Sequence, residues 1–377
     1  MLSTHTQSAR FLQLDREFEE HRERYLDAVS AVISSGQVVG GDEVARFEVA
    51  IAERTGRDHA VAVGSGTDAM QVLLAALGID RDWKVVVPAY TFLATASPLL
   101  HVGASPVFVD VDEHCHLDLR DVGEVSGRNG PCAMIAVGLF GNGLDSCSIE
   151  SFCAERDIIL IEDAAQSFGA RHVGHFGGGL GIASTLSFAP TKTLPCFGNM
   201  GAVVTDDPQL AERLRTIRCH GRSGSANPAL IAGYNSMPSA VGAAMLNVSL
   251  EFHDQRQLRR QAVAERYNDA FSKVPDLQIP SVRGGVTTNW HKYVVALERR
   301  DDLQAFLGKS GIGSQVHYPR LLPDEPIFAS HVKRSFPRAE HLSRVSLTLP
   351  LHPHLTDHEV RHVIDCVLAF CTDPQQP

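Results

Sequence analysis

Two ionisable residues stand where this chain leaves apolar runs, and their types suit one kind of chemistry. Asp163 ends the run Asp157-Ile-Ile-Leu-Ile-Glu-Asp163, and Ala-Ala-Gln-Ser167 follows it. Lys192 closes Ser187-Phe-Ala-Pro-Thr-Lys192, just after a second apolar run from Thr185 to Phe188. A lysine can carry pyridoxal phosphate as a Schiff base, and an acid can keep the pyridine nitrogen of that cofactor protonated. Taken alone, an Asp and a Lys are more often surface charges, so the surrounding elements decide the matter.

A phosphate would need its own cradle. Gly64-Ser-Gly-Thr-Asp-Ala-Met70 lies between an expected strand and an expected helix. Its glycines allow close backbone approach, the helix N-terminus offers free amides, and Thr67 adds a hydroxyl. The same stretch also reads as a turn in which Ser65 or Thr67 caps the helix. It is neither a dinucleotide fingerprint, because Ala69 stands where a third glycine belongs, nor a P-loop. Gly177-Gly-Gly-Leu-Gly181 reads as a flexible turn, since no strand leads directly into it.

The elements that must position these residues alternate. Apolar spacing predicts helices over about 18–35, Asp42 to Arg54, Thr67 to Leu77, Thr91 to His101 and Ser148 to Arg156. Strands are expected at His59 to Val63, Lys84 to Val87, Pro106 to Val111, Ala133 to Val137 and before Asp163. This alternation predicts an α/β layer with a mainly parallel sheet, whose ligands gather at the carboxyl ends of strands. Beyond about residue 235 the pattern changes to a long helix, Ser239 to Ala270, then short strands at Lys292 to Ala296 and Gly313 to His317, with helices at Asp301 to Leu307 and Thr356 to Phe370. The expected division is a large domain over 1–250 and a smaller C-terminal α/β domain over 251–377.

Composition narrows the classes of function. The 377 residues carry a net charge of −10, so no broad basic field invites nucleic acid or an anionic membrane. The eight cysteines are scattered without a CxxC, and neither a signal peptide nor a membrane-spanning run is evident. A cytoplasmic protein with reduced thiols is the expectation. His114-Cys-His116, His172, His175 and His352-Pro-His354 lack zinc spacing and read as surface or loop histidines, so no metal is expected. Arg256, Arg259 and Arg260 read as a solvated helix face, or with Arg218 and Arg222 as places to seek diphosphate contacts.

Seven segments, in order, resemble the DegT/DnrJ/EryC1/StrS family of pyridoxal phosphate-dependent aminotransferases. They are Gly64–Met70, Pro88-Ala-Tyr-Thr-Phe-Leu-Ala-Thr95, Glu162–Ser167, Ser187–Lys192, Gly233-Tyr-Asn-Ser236, His317-Tyr-Pro319 and Leu349-Pro-Leu-His-Pro-His-Leu-Thr356. The resemblance implies a fold-type I transferase and a homodimer with shared active sites. It implies that Lys192 anchors the cofactor and shuttles a proton, with its pKa lowered by the positive charge of the Schiff base or pyridinium nearby. Asp163 would pair with the pyridine nitrogen and Gln166 would meet the phenolic oxygen. Phe92 would stack on the ring, and Gly66, Thr67 and Ser187 would hold the phosphate. Asn235 would reach the phosphate of the neighbouring subunit. Tyr90, Asn199, Met200, His317 and Tyr318 are candidates for the substrate region, although His317 reads equally as a packed strand-end histidine.

Two segments depart from the pattern. Where the family runs Gly-Asp/Glu-Gly-Gly, this chain has Gly198-Asn-Met-Gly201. After Ser236, where a basic and then an acidic residue are common, it reads Met237-Pro-Ser-Ala-Val-Gly242. The resulting expectation is transfer of an amino group from glutamate or glutamine to a nucleotide-linked keto-sugar. Its rivals are a cofactor-binding regulatory homologue that does not turn over and an NAD(P)-dependent oxidoreductase.

Overall fold

Strand ends that are scattered in sequence come together along one edge of a seven-stranded sheet. The computed structural model describes residues 8–125, 132–223, 227–331 and 334–372. The strands are β1 (His59–Val63), β2 (Lys84–Pro88), β3 (Ser105–Val109), β4 (Cys132–Val137), β5 (Ile159–Asp163), β6 (Ala183–Ser187) and β7 (Gly201–Thr205). Their spatial order is β1-β7-β6-β5-β4-β2-β3. Every pairing from β3 across to β6 is parallel, and only β7 runs against its neighbours β6 and β1. The strands read as continuous Val, Ile and Ala runs because both faces are covered. The helix Asp42–Thr55, for example, places Val44, Phe47 and Ile51 at helical spacing in one core with Ala62, Leu186, Phe188 and Val204.

β7 is not among the strands expected from the sequence. It lies immediately behind the divergent Asn199-Met200 segment. Four other differences concern where elements break or fail to form. The helix expected over 18–35 breaks at His21 into Leu14–Glu20 and Arg22–Ser35, and the helix expected over 239–270 breaks at Phe252 into Ala240–Glu251 and His253–Phe271. The stretch Thr91–His101 divides into a 3-10 turn, Leu93–Thr95, and a helix, Ser97–Val102, which begins beside Pro98, where a missing N–H costs least. Gly313–His317 forms no strand and makes only an isolated bridge between Gln315 and Thr348.

A second core gathers Val263, Tyr267, Phe271, Tyr293, Val295, Leu303, Leu307, Val363 and Phe370 around the antiparallel pair β8 (Tyr293–Ala296) and β9 (Ser346–Leu349). Ala9 joins this core from the opposite end of the chain. Leu321, Leu322, Phe328 and Phe336 return instead to the core of the large sheet. The chain therefore crosses between the two cores more than once, and residues near 10–20 are seated against the C-terminal unit.

Burial overturns the reading of the arginines as a solvated face. Arg256 is buried and its Nη1 donates to Glu17 Oε1 at 2.7 Å. Arg260 is buried and donates to the carbonyl of Leu351 at 3.0 Å. Arg218 donates to Glu48 at 2.6 Å, and Arg259 donates to Asp357 at 2.8 Å. These side chains already have partners within the fold. His116, His172 and His352 are likewise buried rather than at the surface. Among the described residues, no helix is long and apolar enough to cross a membrane.

The Arg256–Glu17 pair ties the N-terminal helix to the helix His253–Phe271. Glu17→Gln leaves Arg256 buried without its counter-charge, which costs about 3–5 kcal/mol. Urea unfolding followed by circular dichroism should show a lower midpoint at an unchanged slope.

Candidate active site

The carboxyl ends of β1, β2, β5 and β6 and the start of β7 meet at one edge of the sheet. In the β7 pairings Gly201 lies opposite both Val63 of β1 and Ser187 of β6. A Cβ on Gly201 would fall 2.3 Å from the Ser65 carbonyl oxygen, so glycine is required for the Gly64–Gly66 loop to close over it. A Cβ on Gly66 would meet the Ser187 Cβ at 2.6 Å, and this close approach sets the two hydroxyl-bearing segments side by side. Ser65 caps the helix Gly66–Ala76 by accepting from the Asp68 amide. The capping reading therefore holds for Ser65, while Gly66 and Thr67 line the cavity in front of it. Ser236 fastens the loop from behind: its Oγ accepts from the Gly64 amide at 3.0 Å and donates to Asp68 at 2.7 Å.

The cavity has a volume of about 410 Å³. Asp163, Lys192, Gln166, Phe92, Asn199, His317 and Tyr318 line it together with Gly66, Thr67 and Ser187. A larger cavity, about 560 Å³, lies between Pro275 and Phe370 and contains none of these residues. The chemistry belongs to the smaller one, where a helix N-terminus, a carboxylate and a lysine converge.

Asp163 is buried at the end of β5. Its Oδ2 accepts from Thr95 Oγ1 at 2.7 Å and its Oδ1 from the Ala165 amide at 3.1 Å. Burial raises its pKa above the ordinary carboxylate value, against the pull of Thr95, Ala165 and Lys192. A protonated ring nitrogen would supply the charge that Asp163 otherwise lacks. Lys192 is pushed down to about 8, and the cause is burial, which Asp163 opposes. In the protein alone, the lowered lysine pKa arises from desolvation. A carboxylate awaiting a cation, a lysine near neutrality and free amides beside Ser187 form a donor set that fits pyridoxal phosphate.

The other expected residues separate by position. Phe92 is 51% exposed on the cavity rim, its ring centroid 5.9 Å from that of Tyr318. Gln166 accepts from the Phe140 amide at 3.0 Å and donates to Tyr318 Oη at 3.2 Å, so both its polar groups are engaged in the cavity wall. His317 shares a 2.8 Å hydrogen bond with Thr348, and burial, with Lys292 and Lys192 nearby, pushes its pKa down to about 4. Tyr90 does not line the cavity; it is buried behind it and donates to the His317 carbonyl. Met200 also lies outside the cavity, buried in the core with Cys196 and Leu246. A Cβ on Gly242 would fall 2.8 Å from the Met200 sulfur, so the two divergent segments pack on one another. The bulk of Met200 is therefore absorbed away from the pocket lip. Asn235 is exposed and bridges to Cys219, outside the cavity of its own chain.

Sequence reasoning passed over Thr95, His291 and Lys292. Thr95 closes the segment Pro88–Thr95, but nothing in its spacing shows that it reaches Asp163. His291 and Lys292 precede β8 and enter the cavity from the C-terminal unit. The signal was a lysine beside an apolar strand, which the sequence places next to Lys192 only through the fold.

The match to known proteins runs nearly end to end. The model of the DegT/DnrJ/EryC1/StrS aminotransferase family matches residues 19–368. A dTDP-3-amino-3,4,6-trideoxy-alpha-D-glucose transaminase from Streptomyces venezuelae is 37% identical, over 95% of this chain and 94% of the relative. A Geobacillus stearothermophilus protein named as a pleiotropic regulatory protein is 34% identical, over 95% of this chain and 97% of its own. The solved structure of S. venezuelae DesV in complex with a ketimine intermediate superposes with a TM-score of 0.94 at 35% identity, covering 98% of this chain and 100% of that one. Matching in family pattern, in fold and over the length of its relatives, this chain belongs to the DegT/DnrJ/EryC1/StrS aminotransferase family.

Proposed function

We propose that this chain is a pyridoxal phosphate-dependent aminotransferase that moves an amino group from glutamate or glutamine to a keto-sugar, carried on a nucleotide, for amino-sugar synthesis. The observation that carries the reading is the convergence of Asp163, Lys192 and the Gly66–Thr67 helix start on one cavity. Relatives named as dTDP- and UDP-linked sugar transaminases support the choice of acceptor. The regulatory name of one relative does not favour a silent homologue, because the acid and the lysine are both in place. An NAD(P) oxidoreductase would leave Lys192 without a role.

The cofactor, when bound, supplies an electron sink and a place to store the amino group between the two halves of the reaction. The protein supplies the rest. The first-turn amides of the helix Gly66–Ala76, with Thr67 and Ser187, hold the phosphate. Phe92 covers the ring face and Asp163 holds the ring nitrogen in its charged form. Lys192 takes and returns the proton at the substrate carbon, which requires a neutral amine near pH 8. Thr95 and the Ala165 amide fix the Asp163 carboxylate, so it need not reorganise as charge develops. Asn235, exposed and outside its own cavity, would serve the phosphate of a second copy, making the working form a homodimer in the cytoplasm.

The acceptor is tested by offering free and nucleotide-linked keto-sugars to the pyridoxamine phosphate form and following the return of the cofactor spectrum. Response to a nucleotide-linked keto-sugar supports the reading, and silence across the panel counts against it. Asp163→Asn should retain the fold and slow the half-reaction with glutamate about a hundredfold to a thousandfold in single-turnover absorbance measurements.

Cofactor uptake also carries a pH signature. The reactive form of Lys192 is neutral, so it is scarce below its pKa and dominant above it. Uptake of pyridoxal phosphate by the apoprotein should speed up as pH rises and level off just above 8. A lysine with an ordinary pKa would keep accelerating to about pH 10.

A further inference from the structure

Lys292 is a second lysine in the cavity, and the reaction assigned above does not use it. It follows Asn289-Trp-His and immediately precedes β8, and its backbone amide is fixed to the Phe140 carbonyl at 3.1 Å. Its ammonium lies over the Phe11 ring, 4.7 Å from the centroid, and Phe11 in turn stacks on His317. The side chain lines the same cavity as Lys192.

What distinguishes Lys292 is the absence of an acid. Among the described residues it makes no ion pair. The charged groups that act on it are Lys192 and Arg260, and both repel it; with burial they push its pKa down to about 7. Of the acids in this region, Asp163 is held by Thr95 and Ala165, and Glu17 is paired with Arg256. Among the described residues, Arg260 donates to the carbonyls of Trp290 and Leu351 and makes no ion pair. A partly buried cation whose charged neighbours are all positive is costly to the fold, and such costs persist where a ligand relieves them.

The position limits which anion that is. The phosphate cradle is built from other elements, the β1 and β6 ends. Lys292 and Lys192 line one cavity, so an anion held by Lys292 shares that cavity with the carbon whose amino group is exchanged. An α-amino acid carries a carboxylate bonded to that carbon, whereas a keto-sugar does not. Resting on the amino-transfer reading, we propose that Lys292 binds the α-carboxylate of the amino donor and of the 2-oxo acid it becomes, with Phe11 as the platform that aims the ammonium.

The test uses holoprotein and glutarate, a dicarboxylate with no amine to exchange. Calorimetric titration should give a dissociation constant about tenfold or more higher in Lys292→Gln than in the natural chain, with partial recovery in Lys292→Arg. A change below about threefold, or no uptake by the natural chain, overturns the proposal. L-glutamine and isoglutamine, which lacks the free α-carboxylate, locate the contact. Lys292→Gln should raise KM for glutamine and leave isoglutamine unaffected, whereas equal loss for both overturns it. The thermal midpoint of Lys292→Gln should match or exceed that of the natural chain, and a marked fall would reveal a structural partner and overturn the proposal. Failure of the amino-transfer reading would appear separately, as a natural chain whose cofactor spectrum responds to neither L-glutamate nor L-glutamine.

Discussion

Burial acts in opposite senses on Asp163 and Lys192, and the site depends on that opposition. Desolvation disfavours charge on both, raising the pKa of the acid and lowering that of the amine. Neither shift is an accident of local sequence. Asp163 is buried because β5 lies in the middle of the sheet, and Lys192 is desolvated in the segment after β6, which turns back so that the Cys196 amide donates to the Phe188 carbonyl. The acid is left needing a cationic partner and the lysine is left able to act as a base.

The edge of the sheet supplies the rest. Six strands point the same way, so their carboxyl ends deliver Gly64, Asp163 and Ser187 to one place. β7, running the other way, begins with Gly201 wedged between the two strands that carry the phosphate-binding segments. A single side-chain carbon at Gly201 or Gly66 would drive those segments apart. The divergent Met200 is tolerated because its volume is taken up against Gly242 in the core. Divergence at this segment has therefore been paid in packing, while Asn199 remains the residue of that segment facing the cavity.

Much of this was legible in the sequence. The apolar runs located six of the seven sheet strands within a residue or two, because strands buried on both faces leave an uninterrupted hydrophobic record. The turns after them carried the acid, the lysine and the glycines. β7 was missed although it is as long as its neighbours, because it opens on a glycine directly behind the divergent Asn199-Met200 segment. The long helices were overextended because the breaks at His21 and Phe252 are set by packing rather than by proline or glycine. The arginines of the helix His253–Phe271 were misread because their partners, Glu17 and the Leu351 carbonyl, lie far away in the chain. Lys292 escaped notice for a similar reason: nothing near it in sequence reports that it lies beside Lys192.

The presence of two lysines in one cavity makes attachment of the cofactor the most direct test. Burial lowers the pKa of both lysines, and of the two only Lys192 feels the charge of Asp163. Borohydride reduction of the holoprotein, followed by digestion and mass spectrometry, fixes the cofactor where it is bound. The account predicts the adduct on the peptide containing Lys192, with Lys292 unmodified. An adduct on Lys292, or none on Lys192, would contradict it.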